Sequence, residues 1–533
     1  MFRHAAQGLE LRRVTLAVAS TKLELACEVC DNSIHNNKRD DIVKRLLLLK
    51  LHRWLGLFAA TWLLTLGLTG IFLDHDEWRW LRQTEVPENW LSKSMMRYLP
   101  ATVMRYVVVD DANADRWIGG SERGLWITEN RGQQWSRLSF PDQSRPQVMR
   151  FAKIRDGDNR IIVIATDDGL WRMDGFAGPL ERLAMRGRFI NMVSPGSVPG
   201  EIVGVDDFET IFRMSIDAPN DYETVDLSQT TVHGLPQQVT MYRFLFDLHF
   251  GYGLFSRKVS TFINDFGGVA LILLSLTGVL SWFLKRRWRR LPERAPSGDT
   301  RRIVNLSLYR LHAPAIGLLG IVPIVYLAIT GILFNHIMMF IEWGEQIDVD
   351  RERLPYVWQY DSLKGEIDQV VTYPDQPEKL SISTRYGILN SGDGGKTWFA
   401  NATTGAERGQ LLRSDDHLFY STNSRQFFTK PDFSDEWLVM EGVPSIVYDA
   451  EFSPEGLMVK NSRGFFLGDG DYIFEQSDIR HPDLNAGTLY LFMIDIHTGN
   501  VFHPEFRWVS DVITVMGIVM VISGPILWWR RRW

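Results

Sequence analysis

The sequence predicts an α-helical membrane protein with four transmembrane helices in two parallel repeats, with β-rich, propeller-like periplasmic domains set between the helices of each repeat. Three observations carry this expectation. The chain has four long apolar runs, a repeated set of residues at the margins of those runs, and matched turn motifs in its two long polar segments.

Mean hydropathy over the chain is −0.11, a soluble-looking average that hides where the apolar residues lie. They concentrate around Leu55 to Phe72, Phe266 to Leu284, Ile316 to Phe334 and Val512 to Trp529. Each run holds roughly 18 or more mostly apolar residues, about the length that spans a bilayer. Basic residues crowd the entrance of the first run (Lys38, Arg39, Lys44, Arg45, Lys50, Arg53), the exit of the second (Lys285, Arg286, Arg287, Arg289, Arg290) and the exit of the fourth (Arg530, Arg531, Arg532). Because Lys and Arg gather on cytoplasmic loops, both termini are expected in the cytoplasm of a bacterial cell, with the chain in the inner membrane. The expected order is a disordered cytoplasmic tail (1–45), a first transmembrane helix (46–77), a first periplasmic β-rich domain (78–245), an edge segment with a second helix (246–285) and a cytoplasmic loop (286–310). A third helix (311–341), a second periplasmic domain (342–490) and an edge segment with a fourth helix (491–533) complete it. Residues 1–40 lack the apolar core and cleavage site of a signal peptide, so the first run is the expected membrane-targeting signal.

Net charge is −6, and nothing in that total suggests nucleic acid as a partner. The only two cysteines, Cys27 and Cys30, lie in the tail. The long segments therefore fold without disulfides, and a lone C-x-x-C supplies at most half of a tetrahedral zinc site.

The repeat is read from the run margins. Leu51-His52 opens the first run and Leu68-Thr69-Gly70-Ile71-Phe72-Leu73-Asp74-His75 closes it. Leu311-His312 and Ile329-Thr330-Gly331-Ile332-Leu333-Phe334-Asn335-His336 do the same for the third. Asp247-Leu248-His249 and Asn264-Asp265 precede the second run, as Asp495-Ile496-His497 and Ser510-Asp511 precede the fourth. Two parallel halves follow. Asp265 and Asp511 sit where helix-capping residues belong.

A second repeat runs through the long segments. Gly124-Leu125-Trp126, Thr128, Asn130, Gly132 and Trp135 match Gly387-Ile388-Leu389, Ser391, Asp393, Gly395 and Trp398 position for position. The second set resembles the Asp-box (BNR) hairpin of sialidase-type β-propellers. Physically, an acidic or amide side chain bonds turn backbone, glycine permits positive φ, and tryptophan packs beneath. Two partial propellers or one propeller completed jointly are both open. Joint assembly is favoured, because neither segment is long enough for a closed ring of four-stranded blades.

Six of the twelve histidines, His52, His75, His249, His312, His336 and His497, occupy repeat-related positions at the ends of the runs. Ionisable residues at membrane depth are costly and usually mark function, and imidazole is a good axial ligand for haem iron. These six are the candidate cofactor-binding and iron-ligating residues, for one to three haem b groups. On a straight helix His52 and His75 are separated by about 34 Å, so one haem cannot use both. His52 with His312 forms the expected inner pair, and the other four serve an outer site, with Trp62 or Tyr326 as possible intermediate carriers. Gly67, Gly70, Gly267, Gly268, Gly317, Gly331 and Gly524 offer room for a flat macrocycle or, equally, for close helix packing. Arg79, Arg243, Arg257 and Arg507 at the outer edge are candidate partners for haem propionates, or solvated interface charges.

Leu51-His52-Arg53-Trp54-Leu55-Gly56, Leu68-Thr69-Gly70, His75, Leu248-His249, Ile496-His497 and Asn264-Asp265 together resemble the PepSY-associated transmembrane helix family, whose members include bacterial inner-membrane siderophore reductases. The resemblance implies four helices, haem held by the edge histidines, and reduction of a ferric siderophore or another periplasmic acceptor. His312 departs from the pattern: Ala313-Pro314-Ala315 follows it, with one extra residue before the Thr-Gly pair. No dinucleotide fingerprint or P-loop is present, so a reductase would draw on quinol or another membrane donor. The expected function is haem-based electron transfer to an acceptor such as ferric siderophore iron. Its rival is a non-enzymatic membrane-anchored binding or sensor protein, whose propeller-like domains do the work.

Overall fold

The computed structural model describes residues 46–529 apart from short internal stretches, of which the longest is 291–297. Cys27, Cys30 and the rest of the tail, together with Arg530, Arg531 and Arg532, lie outside the described residues. The chain divides into two compact units: residues 1–64, 270–325 and 513–533 form one, and residues 65–269 and 326–512 the other.

In chain order the principal helices are α1 (Leu46–Asp74), α2 (Met241–His249), α3 (Arg257–Trp288), α4 (Asp299–Gly317), α5 (Ile321–Asn335), α6 (Leu489–Thr498) and α7 (Phe506–Trp529). Three of them, α1, α3 and α7, are long and apolar enough to cross a membrane. The fourth expected span is instead a bent pair, α4 and α5, meeting at 66°. The break falls between Gly317 and Ile321 and directly follows a π-helical stretch, Leu311–Gly317, that holds Ala313-Pro314-Ala315, where proline lacks the N–H that an α-helix needs. A π turn accommodates one residue more than an α turn, so the extra residue between His312 and Thr330 is absorbed there.

In the first unit, Ala270, Ile324 and Val521 are buried together, with Leu271, Leu274 and Ile316 packed around them. A Cβ on Gly320 would stand 3.0 Å from that of Ala270, so this contact needs a residue without a side chain.

The second unit is dominated by six antiparallel four-stranded sheets, one of them extended by a fifth strand. Their innermost strands are β1 (Tyr106–Val109), β2 (Val148–Asp156), β3 (Ile190–Pro195), β4 (Ile367–Tyr373), β5 (Gly409–Ser414) and β6 (Asp449–Ser453). Each packs on the next, and β6 packs back on β1. A single closed ring of six blades results, three from each long segment. Sheets covered on both faces need apolar residues on both, which is why Ile161, Ile162, Val163 and Ile164 run consecutively and are all buried. The two seams between the segments are hydrogen-bonded. The Val107 amide donates to Asp449 (2.8 Å), and Asn191 Nδ2 and Thr372 Oγ1 donate to the carbonyls of Asp368 and Pro195 (both 2.8 Å).

Two short antiparallel clamps tie the segments where they meet the helices. Glu85–Pro87 pairs with Ala486–Thr488, and Gln238–Thr240 pairs with Asp348–Asp350. Thr231–His233 adds in parallel to the outer edge of the fourth blade. The two matched turns are built alike. Asp393 Oδ1 accepts the amides of Lys396 and Thr397 (3.0 and 2.9 Å), as Asn130 Oδ1 accepts that of Gln134 (2.8 Å). Trp398 is fully buried beneath its turn.

Candidate functional site

Helices α2 and α6 are repeat equivalents and start alike. Thr240 caps the Arg243 amide and Thr488 caps that of Leu491, both at 3.2 Å, a side-chain oxygen serving an amide that the first turn leaves unpaired. Each helix is anchored by a fully buried aspartate two residues before its histidine. Asp247 takes Arg243 (2.9 Å), and Asp495 takes the Ser92 hydroxyl (2.7 Å). His249 and His497 are thereby delivered at the last turn of rigid elements.

Four of the six histidines share one arrangement. Nδ1 of His52 lies 2.9 Å from Ser523 Oγ. Nδ1 of His312, His249 and His497 lies 2.8 Å from Oγ1 of Thr277, Thr330 and Thr69 respectively. Each hydroxyl also donates to a carbonyl of its own helix: Thr277 to Leu273 (2.6 Å), Thr330 to Tyr326 (2.8 Å), Thr69 to Thr65 (2.7 Å) and Ser523 to Met520 (3.2 Å). A hydroxyl has one proton. With that proton spent on the carbonyl, the hydroxyl accepts from the imidazole, so Nδ1 carries the hydrogen and Nε2 keeps a bare lone pair. Burial holds the two imidazoles outside the spans neutral: His497 is pushed down to about 4, and His249 to about 3 with further lowering by nearby His497.

A glycine follows each hydroxyl residue. A Cβ on Gly524 would meet Cε1 of His52 at 3.8 Å, on Gly278 that of His312 at 3.5 Å, on Gly331 that of His249 at 3.7 Å and on Gly70 that of His497 at 3.7 Å. Each glycine thus brings its helix close to Cε1 of the ring that the neighbouring hydroxyl holds. Of the other glycines singled out, a Cβ on Gly317 would meet the His312 carbonyl at 2.6 Å, and one on Gly268 would meet the Ile71 side chain at 2.8 Å and the Gly67 carbonyl at 3.1 Å. The His52 and His312 rings stand 6.3 Å apart, centre to centre, with planes at 89°.

His75 and His336 are different. Nε2 of His75 lies 3.0 Å from Asp265 Oδ2 and Nε2 of His336 lies 2.7 Å from Asp511 Oδ2. Each ring is also covered by an indole, Trp78 at 4.4 Å and Trp508 at 4.3 Å. The nitrogen engaged here is Nε2, and its partner is a carboxylate. This geometry corrects the capping expectation for Asp265 and Asp511, since α3 begins at Arg257 and α7 at Phe506 and both aspartates lie inside their helices.

Of the edge arginines, Arg79 pairs with Asp167 (2.6 Å) and Arg243 with Asp247. Arg257 lies over the Phe208 ring (4.5 Å). Arg257 and Arg507 both line a cavity of about 1500 Å³, whose wall also includes Tyr106, His75 and Asp265. Tyr326 donates to Asn264 Oδ1 (2.5 Å), and Trp62 is buried. Among the described residues no group of three or more His, Cys, Asp or Glu side chains gathers as a metal site.

The family described as the PepSY-associated TM region matches residues 49–531, nearly the whole described chain. The protein belongs to this family. No curated protein matches it. Among solved structures it is similar to an ancestral GH74 enzyme (11% identity, TM-score 0.32, 74% of this chain and 39% of that one). It is also similar to YCF48 from Cyanidioschyzon merolae (10%, 0.29, 68% and 94%) and to the GH74 xyloglucanase from Xanthomonas campestris (10%, 0.32, 70% and 45%). The chain thus spans less than half the length of either GH74 structure. In this PepSY-associated chain, Thr277-Gly278 and Ser523-Gly524 escape a reading of the sequence, although the signal is there. A hydroxyl residue followed by glycine recurs once in each of the four apolar runs.

Proposed function

We propose that this PepSY-associated protein is a haem-binding electron-transfer protein of the bacterial inner membrane. Both termini are cytoplasmic and the propeller is periplasmic. It takes electrons from quinol or another membrane donor and reduces a periplasmic acceptor such as ferric siderophore iron. The observation that carries this reading is the shared contact of Nδ1 of His52, His312, His249 and His497 with a hydroxyl that is already donated to a helix carbonyl. Imidazole is a good ligand for haem iron, and His52 with His312, and His249 with His497, would hold the group through Nε2. The His52 and His312 rings, 6.3 Å apart centre to centre, are near enough that both could serve one group.

Haem bound by these pairs would supply one-electron redox chemistry. The chain's own contribution is positioning and tuning. Hydroxyls at Nδ1 fix ring orientation and raise the basicity of Nε2, as second-shell partners of ligating histidines do. Glycines bring a helix close to each ring. Lys285, Arg286 and Arg287 at the last turn of α3 support the orientation by the positive-inside rule.

The test is a visible spectrum of the detergent-purified protein from haem-replete cells, oxidised and dithionite-reduced. Sharp b-type bands are expected, and a colourless protein would sink the reading and leave the propeller as the working part. Thr330→Val is expected to keep the bands but raise the midpoint potential associated with the His249 pair, because Nδ1 loses its acceptor and the ligand becomes less electron-rich. Redox titration that gives identical potentials for variant and parent would show that the hydroxyl has no such role.

A further inference from the structure

The two histidine–aspartate pairs are repeat equivalents, but one residue sets them apart. In the second repeat the carboxylate is complete: Asp511 Oδ2 faces His336 Nε2 and its Oδ1 accepts Asn335 Nδ2 at 2.7 Å. In the first repeat the residue equivalent to Asn335 is Asp74. A carboxylate has no N–H to give, and Oδ1 of Asp265 is buried with no hydrogen-bond partner among the described residues. An orphaned buried carboxylate oxygen is costly. Its residue lines a cavity of about 1500 Å³ together with Asp74 and His75, and Asn335 reaches the same cavity while His336 and Asp511 do not.

The missing group is therefore a donor that enters from the cavity. The surrounding wall narrows its chemistry. Phe262, Phe334 and Phe208 line the same space, and Phe262 is 68% exposed, giving the cavity an apolar aromatic flank beside its carboxylate floor. The flank fits a planar aromatic ring, and the floor fits a hydroxyl on that ring. We infer that Asp74, His75 and Asp265 form a binding site for an aromatic diol in its reduced, protonated form, one hydroxyl donating to Asp265 Oδ1. The second repeat is the same site closed by Asn335. A lipid-borne hydroquinone and a water-soluble free catechol share this chemistry. The site deepens the proposed function by giving the donor side a location, and it rests on that reading only for what the bound diol does, not for its binding.

Asp74→Asn tests it, because it rebuilds the second repeat's arrangement in the first and supplies an amide to Asp265 Oδ1. The probes are decylubiquinol in detergent and 2,3-dihydroxybenzoate in buffer, with binding followed by quenching of the indole emission to which Trp78, stacked on His75, contributes. The parent protein is expected to bind at least one probe, and Asp74→Asn to bind it at least 10-fold more weakly, the loss of one hydrogen bond to a charged group. Preference for decylubiquinol identifies a lipid source, and preference for dihydroxybenzoate an aqueous one. Asp511→Asn, at a residue of the second pair that does not line the cavity, is the folding control and keeps parental affinity. Binding of neither probe by the parent, or equal affinities for parent and Asp74→Asn, overturns the inference. The b-type spectrum is taken on the same samples. Diol binding without haem bands defeats the haem reading alone, and haem bands without diol binding defeat this one alone.

Discussion

His249→Ala and His497→Ala are each expected to remove about half of the b-type absorbance, since one paired site is lost and the other keeps both axial rings. His52→Ala and His312→Ala remove the other half, and His52→Ala combined with His249→Ala leaves a colourless protein. His75→Ala and His336→Ala keep the full spectrum. The division follows from the nitrogens: the first four present Nε2 bare, because a hydroxyl holds Nδ1, while in the last two a carboxylate holds Nε2. The check is haem content per polypeptide, by pyridine haemochrome, for all six variants. Full retention in His249→Ala, or a loss in His75→Ala equal to that in His249→Ala, would show that the tautomer argument picks the wrong ligands.

Lys460→Met is expected to stabilise the propeller, and to do so in a pH-dependent way. Lys460 is only 1% exposed. Its ammonium donates to the Asn461 carbonyl (2.6 Å) and lies over the Phe465 ring (5.1 Å). Burial pushes its pKa from 10.5 down to about 7, with Asp449 opposing the fall. His481, whose ring is 5.4 Å from that of Phe465, is driven to about 3 by burial and then by Lys460. Between about 7 and 10.5 the unfolded chain holds a proton that the folded one has released, so stability rises with pH across that window. Below 7 the destabilisation is at its full extent, about 3–5 kcal/mol at one pKa unit per 1.4 kcal/mol. Methionine fills similar space without the charge. Thermal unfolding followed by tryptophan emission should therefore place the variant's Tm above the parent's at pH 6.5, with the gap closing by pH 10. A gap that widens with pH would mean that the lysine is charged and well paired in the fold.

Much of the membrane part was legible because lipid tolerates no other pattern: a helix that crosses it must be apolar along its length. The break in the third span was legible only as an anomaly, Ala313-Pro314-Ala315 after His312 with one extra residue before Thr330, whose resolution as a π turn depends on three-dimensional packing. That the His52 and His312 rings stand close together was expected from the repeat. Their hydroxyl partners were not, because a serine or threonine beside glycine in an apolar run is also what ordinary helix contacts use. Asp265 and Asp511 looked like caps because the apolar runs start beside them, yet α3 and α7 begin further upstream at Arg257 and Phe506, in sequence that is not apolar. The blades were legible as short strands with turn motifs. Their number and closure were not, since the seams depend on contacts between residues as distant as Val107 and Asp449.

That ring closure has a consequence for biogenesis. The first three blades are complete once the chain has been made to Thr224, but β6 ends at Ser453, and ribosomes add about 5–20 residues per second. For on the order of ten seconds or more, half a ring waits with β1 and β3 uncovered while two further helices and a second long segment are delivered. The apolar side chains of those two blade faces are the ones a holding chaperone would be recruited to, and a ribosome stalled in the 286–310 loop would leave them exposed for good.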